Sequence, residues 1–101
     1  MTLTIVIPCY NEEESLVELF ERVETVAQRE GFDCDYVFVD DGSTDRTLAV
    51  LRELRARTAR VGVISFRRNY GKSAALNMGF RNATGDVVIT MDADLQDDPE
   101  E

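Results

Sequence analysis

The chain has 101 residues, 44% of them hydrophobic, which is enough for one small domain with a modest core. Its formal net charge of −9 argues against a nucleic-acid-binding surface, so we expect no nucleic acid partner. The sequence contains no histidine, which excludes histidine-based catalytic triads and histidine-ligated zinc.

The chain begins with a predicted strand and helix. Residues 3–7 are an apolar, β-branched run, and we expect Pro8 to end the strand because proline cannot donate a ladder hydrogen bond. Acidic residues 12–14 are expected at the start of a helix, where they complement its dipole. The helix should end near Gly31. Its apolar face is predicted to contain Leu16, Leu19, Phe20, Val23, Val26 and Ala27.

A second strand is predicted at residues 36–39, followed directly by a polar turn that contains Asp40 and Asp41. Ser43 or Thr44 is expected to cap a second helix, with Asp45 in its first turn. The buried face of this helix is predicted to consist of Leu48, Leu51 and Leu54.

The third strand is predicted at residues 61–65, and a third helix from Lys72 to roughly Ala83. The small residues of that helix should let it approach the sheet closely. Residues 87–91 form a short apolar run typical of a strand buried on both faces, and this run leads into Asp92 and Asp94.

The alternation of strands and helices predicts an α/β fold with parallel strands. A strand order of 3-2-1-4 with helices on both faces would place the ligand crevice between the first and fourth strands, near Tyr10 and Asp92. Polar clusters follow all four strands, so they should converge on one edge of the sheet. These clusters are residues 8–12, 40–43, 67–72 and 92–96.

The residue types suggest what such a crevice binds. Asp92 and Asp94, with the amide oxygen of Gln96, suit Mg²⁺ or Mn²⁺. Tyr10 offers an aromatic face and Asp40 an acceptor, which together suit a nucleobase, while Lys72 or Arg67 can meet phosphate charge. Each feature also has a structural interpretation. Asp92 and Asp94 would then belong to a solvated acidic loop, and Tyr10 would cover the sheet edge as a lid. Asp40 and Asp41 would serve as turn and cap residues, and Lys72 would lie in a first helical turn without a ligand.

Two common nucleotide motifs are absent. The first strand is followed by Pro-Cys-Tyr-Asn-Glu-Glu and not by G-x-G-x-x-G, which argues against a dinucleotide site. Gly71-Lys72-Ser73 resembles the end of a phosphate-binding Walker A loop, but Phe66 stands where its first glycine is required.

Several segments, in order and over essentially the whole chain, resemble the family 2 glycosyltransferases. The greatest similarity is to the polyprenyl-phosphate sugar transferases of the dolichol-phosphate mannose synthase type, which serve cell-wall and glycolipid biosynthesis. The matching segments are residues 5–13 (IVIPCYNEE), 39–45 (VDDGSTD), 68–72 (RNYGK), 75–79 (ALNMG) and 92–99 (DADLQDDP).

The resemblance implies a Rossmann-like GT-A fold, a UDP- or GDP-sugar donor, a divalent cation and inversion at the anomeric carbon. It implies one set of residues around the base, the ribose and the phosphates, and a second set around the cation. The nucleotide set is Pro8, Tyr10, Asn11, Glu12, Asp40, Asp41, Lys72 and Asp92. The metal set is Asp92, Asp94 and Gln96, and the catalytic pair is Asp92 and Asp94.

The resemblance favours a polyprenyl phosphate as acceptor. The alternatives are a glycosyltransferase that acts on a saccharide acceptor and a non-catalytic nucleotide-binding fragment. Members of this type continue well past the DxD motif, so we interpret residues 1–101 as the nucleotide-sugar-binding part of a longer domain. We expect this part to be cytoplasmic and the full-length enzyme to lie at the cytoplasmic face of a membrane. An exposed edge on the fourth strand could also support a homo-oligomer.

Overall fold

The computed structural model describes residues 1–93, in which strands and helices alternate as predicted. The strands are β1 (Thr2–Cys9), β2 (Asp33–Asp40), β3 (Val61–Ser65) and β4 (Val87–Thr90). The helices are α1 (Leu16–Glu30), α2 (Thr47–Arg57) and α3 (Lys72–Asn82).

The strands form one parallel sheet in the order β3-β2-β1-β4, which confirms the predicted order. Ile5 of β1 pairs with Tyr36 of β2 on one side and with Ile89 of β4 on the other. The connection from β1 leads to β2, and the chain later returns to the opposite side of β1 as β4. A ligand crevice is expected at this reversal, beyond the carboxyl ends of the strands.

Helices cover both faces of the sheet, as predicted. Helices α1 and α2 lie on one face, over a core that includes Ile7 and Leu51. Helix α3 lies on the other face, where Ala75 packs against Val6. A Cβ atom at Gly79 would lie 2.3 Å from Val6 Cγ1, so α3 can approach β1 this closely only because residue 79 is glycine.

Strand β1 continues through Pro8, so the prediction that Pro8 ends it is wrong. Pro8 pairs in register with Val39 of β2. On the β4 side, the Val6 carbonyl accepts a 3.1 Å hydrogen bond from the Met91 amide. Pro8, two residues further on, directs its nitrogen to the same side. It lies beyond Thr90, the last β4 residue paired with β1, so its missing N–H breaks no ladder hydrogen bond there.

Strand β4 is largely exposed, so the prediction that it is buried on both faces is wrong. Val87, Val88 and Ile89 remain 39%, 37% and 40% exposed. Within residues 1–93, β4 has a neighbouring strand on one side only, and no helix packs extensively against it. The described part of the chain therefore carries an apolar edge strand, in agreement with the expectation of an exposed edge.

Helix α2 begins at Thr47, and neither Ser43 nor Thr44 caps it, so that prediction is also wrong. The Asp45 carboxylate accepts hydrogen bonds from the Thr47 amide at 2.8 Å and the Thr47 hydroxyl at 2.6 Å. Ser43 and Thr44 instead bond to Asn11 in the loop after β1. Longer-range pairing between two loops thus replaces the local cap.

Helix α1 ends at Glu30, next to Gly31 as predicted. Its buried residues are Leu16, Leu19, Phe20, Val23 and Ala27. No helix between residues 1 and 93 has both the length and the apolar character that crossing a lipid bilayer requires.

Candidate nucleotide-sugar site

A crevice of about 390 Å³ opens at the carboxyl ends of the strands. Segments that follow all four strands contribute to it, so the polar clusters converge on one edge as predicted. The described residues that line it are Pro8, Cys9, Tyr10, Glu12, Asp41, Asn69, Gly71, Lys72, Asp92 and Ala93.

The segment after β1 forms one wall of the crevice. Pro8, Tyr10 and Glu12 line it, and Tyr10 is 45% exposed, so its aromatic face is accessible to a ligand. Asn11 is not among the lining residues, although the resemblance placed it in the nucleotide site. Its side-chain oxygen instead accepts a 2.8 Å hydrogen bond from the Thr44 amide.

The two adjacent carboxylates after β2 are both buried, but they differ in their hydrogen-bond partners and in whether they line the crevice. Asp40 is 2% exposed, accepts a 3.1 Å hydrogen bond from the Ser43 amide, and is not among the described lining residues. Asp41 does line the crevice. The base contact predicted for Asp40 stays a prediction, and Asp41 is the carboxylate of the pair that borders the cavity.

Asp41 anchors the loop that precedes α3. Its carboxylate accepts hydrogen bonds from the Tyr70 amide at 2.7 Å, the Gly71 amide at 3.0 Å and the Asn69 side chain at 3.1 Å. The Asn69 side-chain nitrogen also lies 3.2 Å from the Asp41 carbonyl oxygen. Asn69 is not among the residues predicted from the sequence for this site, because turn formation explains an asparagine in a loop equally well.

Gly42 completes this contact between the two loops. A Cβ atom at residue 42 would lie 2.1 Å from the Arg68 carbonyl carbon and 2.4 Å from the Asn69 nitrogen. The backbone of the loop before α3 therefore packs directly on the backbone of residue 42. The backbone of Gly42 also has φ 71°, which glycine adopts at little cost.

Lys72 and Asp92 form an ion pair in the crevice. Lys72 Nζ lies 2.7 Å from Asp92 Oδ1, and the two side chains are 63% and 45% exposed. Lys72 is the first residue of α3, so the loop anchored by Asp41 sets its position. Asp92 follows the end of β4. A cation from the start of α3 and an anion from the segment after β4 therefore meet at the site.

Cys9 also lines the crevice, but its thiol is not prepared to act as a nucleophile. The residue is 1% exposed, and its sulfur donates to the Ile7 carbonyl at 3.4 Å. Burial raises the pKa of the Cys9 thiol, and the negative charges of Asp40 and Glu12 raise it further. Cys9 and Cys34 are both free and buried.

The predicted metal ligands are described only in part. Asp92 is a hard oxygen donor at the crevice, as Mg²⁺ and Mn²⁺ prefer, and its chemistry fits such an ion. Asp94 and Gln96 lie outside the described residues. Residues 1–93 contain no group of three or more acidic or cysteine side chains placed to hold a metal ion.

Comparison with known proteins identifies the family. The model of the family described as glycosyl transferase family 2 matches residues 4–101. A curated relative is the undecaprenyl-phosphate 4-deoxy-4-formamido-L-arabinose transferase of Edwardsiella ictaluri, which is 46% identical over 100 residues. The match covers 98% of this chain and 31% of the relative, so the chain spans about a third of the relative's length.

Solved structures agree with this family. The mannosyltransferase PcManGT from Pyrobaculum calidifontis, in complex with GDP-Man and Mn²⁺, has a TM-score of 0.78 and 29% identity, covering 91% of this chain and 27% of its own. S. aureus TarS in complex with UDP-GlcNAc has a TM-score of 0.75 and 28% identity, covering 93% and 27%. These proteins are GT-A glycosyltransferases, so the predicted fold is confirmed. The chain belongs to glycosyl transferase family 2.

Proposed function

We propose that the chain forms the nucleotide-sugar-binding part of an inverting, metal-dependent glycosyltransferase that transfers a sugar from a UDP- or GDP-sugar to a polyprenyl phosphate. The observation that carries the proposal is the crevice itself, in which Tyr10, Asp41, Lys72 and Asp92 meet at one edge of the sheet. An aromatic face, an acceptor, an ammonium group and a metal-type carboxylate are the groups that a base, a diphosphate and a cation require.

The base binds on the β1 side of the crevice. Tyr10 is exposed enough to stack on it, and the buried carboxylates Asp40 and Asp41 are the candidate acceptors for its ring N–H groups. Pro8 and Glu12 border the base and the ribose. The relatives whose structures contain GDP-Man and UDP-GlcNAc support both guanine and uracil as candidates.

The diphosphate binds beside the ion pair of Lys72 and Asp92. Lys72 contributes a positive charge, and Asp92 contributes a carboxylate that would hold a divalent cation together with Asp94 and Gln96. The structure of PcManGT in complex with GDP-Man and Mn²⁺ supports a divalent metal as part of the proposal. When bound, such an ion stabilises the negative charge of the departing diphosphate.

The transfer needs no strong base from this chain. An oxygen of the acceptor phosphate forms a bond to the anomeric carbon while the bond to the nucleoside diphosphate breaks, and the bonding electrons leave with the diphosphate. A phosphate monoester has a second pKa of about 6, so it is already anionic near neutral pH. This agrees with a sequence that contains no histidine. The name of the Edwardsiella relative supports the polyprenyl phosphate as acceptor.

The acceptor also suggests a location. A polyprenyl phosphate is held in a lipid bilayer by its hydrocarbon chain. We therefore place the full-length enzyme at the cytoplasmic face of a membrane, where nucleotide sugars and the phosphate head group can meet.

Calorimetric titration of the protein tests the donor site. UDP-glucose and GDP-mannose are each added with and without Mn²⁺ to the wild-type protein, to Asp92→Asn and to a control, Asp33→Asn. Asp33 is an exposed carboxylate at the start of β2, outside the described lining of the crevice. We expect metal-dependent binding of one donor, weakened about tenfold in Asp92→Asn and unchanged in Asp33→Asn.

The outcomes separate the proposal from its rivals. Binding that is indifferent to metal and to Asp92→Asn would favour a non-catalytic nucleotide-binding module. Strong preference for a nucleoside triphosphate would favour a nucleotidyltransferase. Transfer assays on the full-length protein with undecaprenyl phosphate and with a saccharide then decide the acceptor.

A further inference from the structure

Side chains join the loop after β1 to the loop after β2. Asn11 Oδ1 accepts hydrogen bonds from the Thr44 amide at 2.8 Å and the Asp45 amide at 3.3 Å. In the opposite direction, the Asn11 amide donates to the Ser43 hydroxyl at 2.9 Å. The pairing between β1 and β2 thus continues past the ends of the strands, with side-chain oxygens as the acceptors.

Thr47 makes a second connection between the same loops. Its hydroxyl donates to Asp45 Oδ1 at 2.6 Å and accepts from the Glu12 amide at 2.9 Å. Asp45 Oδ2 lies 3.4 Å from the Glu13 amide. Thr47 is fully buried, so water does not compete with these bonds. We call Asn11, Asp45 and Thr47 the loop clasp.

The backbone of Asn11 has an uncommon conformation. Its φ of 54° makes it the one non-glycine residue with positive φ within residues 1–93. Asparagine is among the few residue types that tolerate this region. Tyr10 and Glu12, on either side of Asn11, line the crevice, whereas Asn11 is not among its lining residues. The clasp therefore holds the turn that places both neighbours in the crevice wall.

We propose that Asn11 is a positioning residue of the donor crevice. Its side-chain oxygen holds the loop after β2 and thereby sets Tyr10 and Glu12, and Asp45 and Thr47 support the same arrangement. The identity of the ligand rests on the proposed function, whereas the clasp is a property of the protein without ligand. This role differs from direct nucleotide contact, because it uses the oxygen of the Asn11 amide as an acceptor and not its NH₂ group as a donor.

Two substitutions at residue 11 separate these roles. Asn11→Asp keeps an oxygen acceptor and tolerates positive φ, but it removes the NH₂ donor. Asn11→Gly keeps the backbone conformation and removes the acceptor. Thr47→Val removes the second connection while preserving the shape of the side chain. Tyr36→Phe controls for lower stability alone, since Tyr36 is not among the described residues of the crevice.

Two measurements are made on each variant. Hydrogen exchange of the Thr44 and Asp45 amides, without ligand, reports on the clasp. Calorimetry with the donor that the wild-type protein binds reports on the crevice. We expect Asn11→Asp to keep amide protection and to bind within about threefold of wild type. Asn11→Gly should lose protection and bind about tenfold more weakly, which corresponds to about 1.4 kcal/mol. Thr47→Val should resemble Asn11→Gly, and Tyr36→Phe should bind the donor with wild-type affinity.

Specific results would overturn the proposal. If Asn11→Gly retains protection of both amides, the clasp does not depend on the Asn11 side chain. If Asn11→Asp retains protection but binds as weakly as Asn11→Gly, Asn11 affects donor binding independently of the clasp. Failure of the wild-type protein to bind either donor would contradict the proposed function, while the exchange measurement would still test the clasp.

Discussion

Lys72 Nζ lies 2.7 Å from Asp92 Oδ1, and this ion pair joins the start of α3 to the end of β4 inside the crevice. Both side chains are substantially exposed, so the pair itself adds little to stability. Its importance lies in the arrangement of charge. An ammonium group and a carboxylate at the same site can receive a diphosphate and a cation together.

Replacement of Lys72 by methionine is expected to weaken donor binding about tenfold. The ammonium is the charge that the diphosphate would meet, and hydrogen bonds to charged groups typically contribute 1.5 to 3 kcal/mol, roughly 10-fold or more. Methionine preserves most of the side-chain length. Calorimetric titration with donor and Mn²⁺ measures the change.

Arg81→Met is the matched control, since Arg81 is an exposed cation in the last turn of the same helix and is not among the described lining residues. Its donor affinity should equal that of the wild-type protein. Equal losses in Lys72→Met and Arg81→Met would show that the net charge of the protein matters and that the Lys72 position does not.

Gly42→Ala is expected to destabilise the protein much more than Gly31→Ala. Both glycines have positive φ, 71° and 74°, so each substitution should cost about 1 kcal/mol in backbone strain. A Cβ at residue 31 meets nothing within 4 Å, whereas one at residue 42 would lie 2.1 Å from the Arg68 carbonyl carbon. Overpacking adds roughly 1 to 3 kcal/mol.

Chemical denaturation of both variants measures this difference. We expect Gly42→Ala to lose about 2 to 4 kcal/mol of unfolding free energy and Gly31→Ala about 1. Similar losses in the two variants would mean that the loop before α3 moves away from residue 42 at little cost.

The sequence was sufficient to predict the alternation of elements and the strand order. Segments with the apolar periodicity of helices lie between the strand candidates. Short connections between these strands and helices favour parallel pairing of the strands. The position of Tyr10, Asp41 and Lys72 after strand ends followed directly, because the carboxyl ends of parallel strands meet at one edge. All three line the crevice.

The failures at Pro8 and at the start of α2 share one physical origin, which is that the arrangement of distant segments decides whether a local signal is followed. Pro8 stays in β1 because its nitrogen faces a side with no ladder partner at that level. Ser43 and Thr44 bond to Asn11 across the two loops and leave α2 to begin later, at Thr47. The different roles of Asp40 and Asp41 likewise depend on a loop some 28 residues away along the chain.

Replacement of Tyr36 by phenylalanine is expected to lower the free energy of unfolding by about 1 to 2 kcal/mol. Tyr36 is 1% exposed, and its hydroxyl donates a 2.6 Å hydrogen bond to Glu24 Oε1. Phenylalanine keeps the ring contact with Phe20, whose centroid lies 5.0 Å away, and removes only the hydroxyl. Tyr70→Phe, at a residue that is 55% exposed, is the control and should change stability little. Equal effects in urea denaturation would refute a special role for the Tyr36 hydroxyl.

The Asp45 carboxylate should make the stability of the protein depend on pH in the acid range. Desolvation acts to raise its pKa, but hydrogen bonds from the Thr47 side chain and from the Thr47 and Glu13 amides outweigh it, so the pKa of Asp45 in the folded protein lies below its usual value. A lowered pKa in the folded state means that the ionised carboxylate stabilises the fold. This contribution is complete above the unfolded pKa, which is about 3.9 for aspartate, and it is lost as the pH falls through the folded pKa.

Asp45→Asn tests this dependence. The difference in unfolding free energy between wild type and variant should be constant above about pH 5 and should shrink as the pH falls below about 4. Asp33→Asn controls for the loss of one negative charge at an exposed site and should show a smaller change over the same range. Urea denaturation at a series of pH values gives both differences. A difference for Asp45→Asn that grew on acidification would contradict the assignment, because it would require the folded state to bind the proton more tightly than the unfolded chain does.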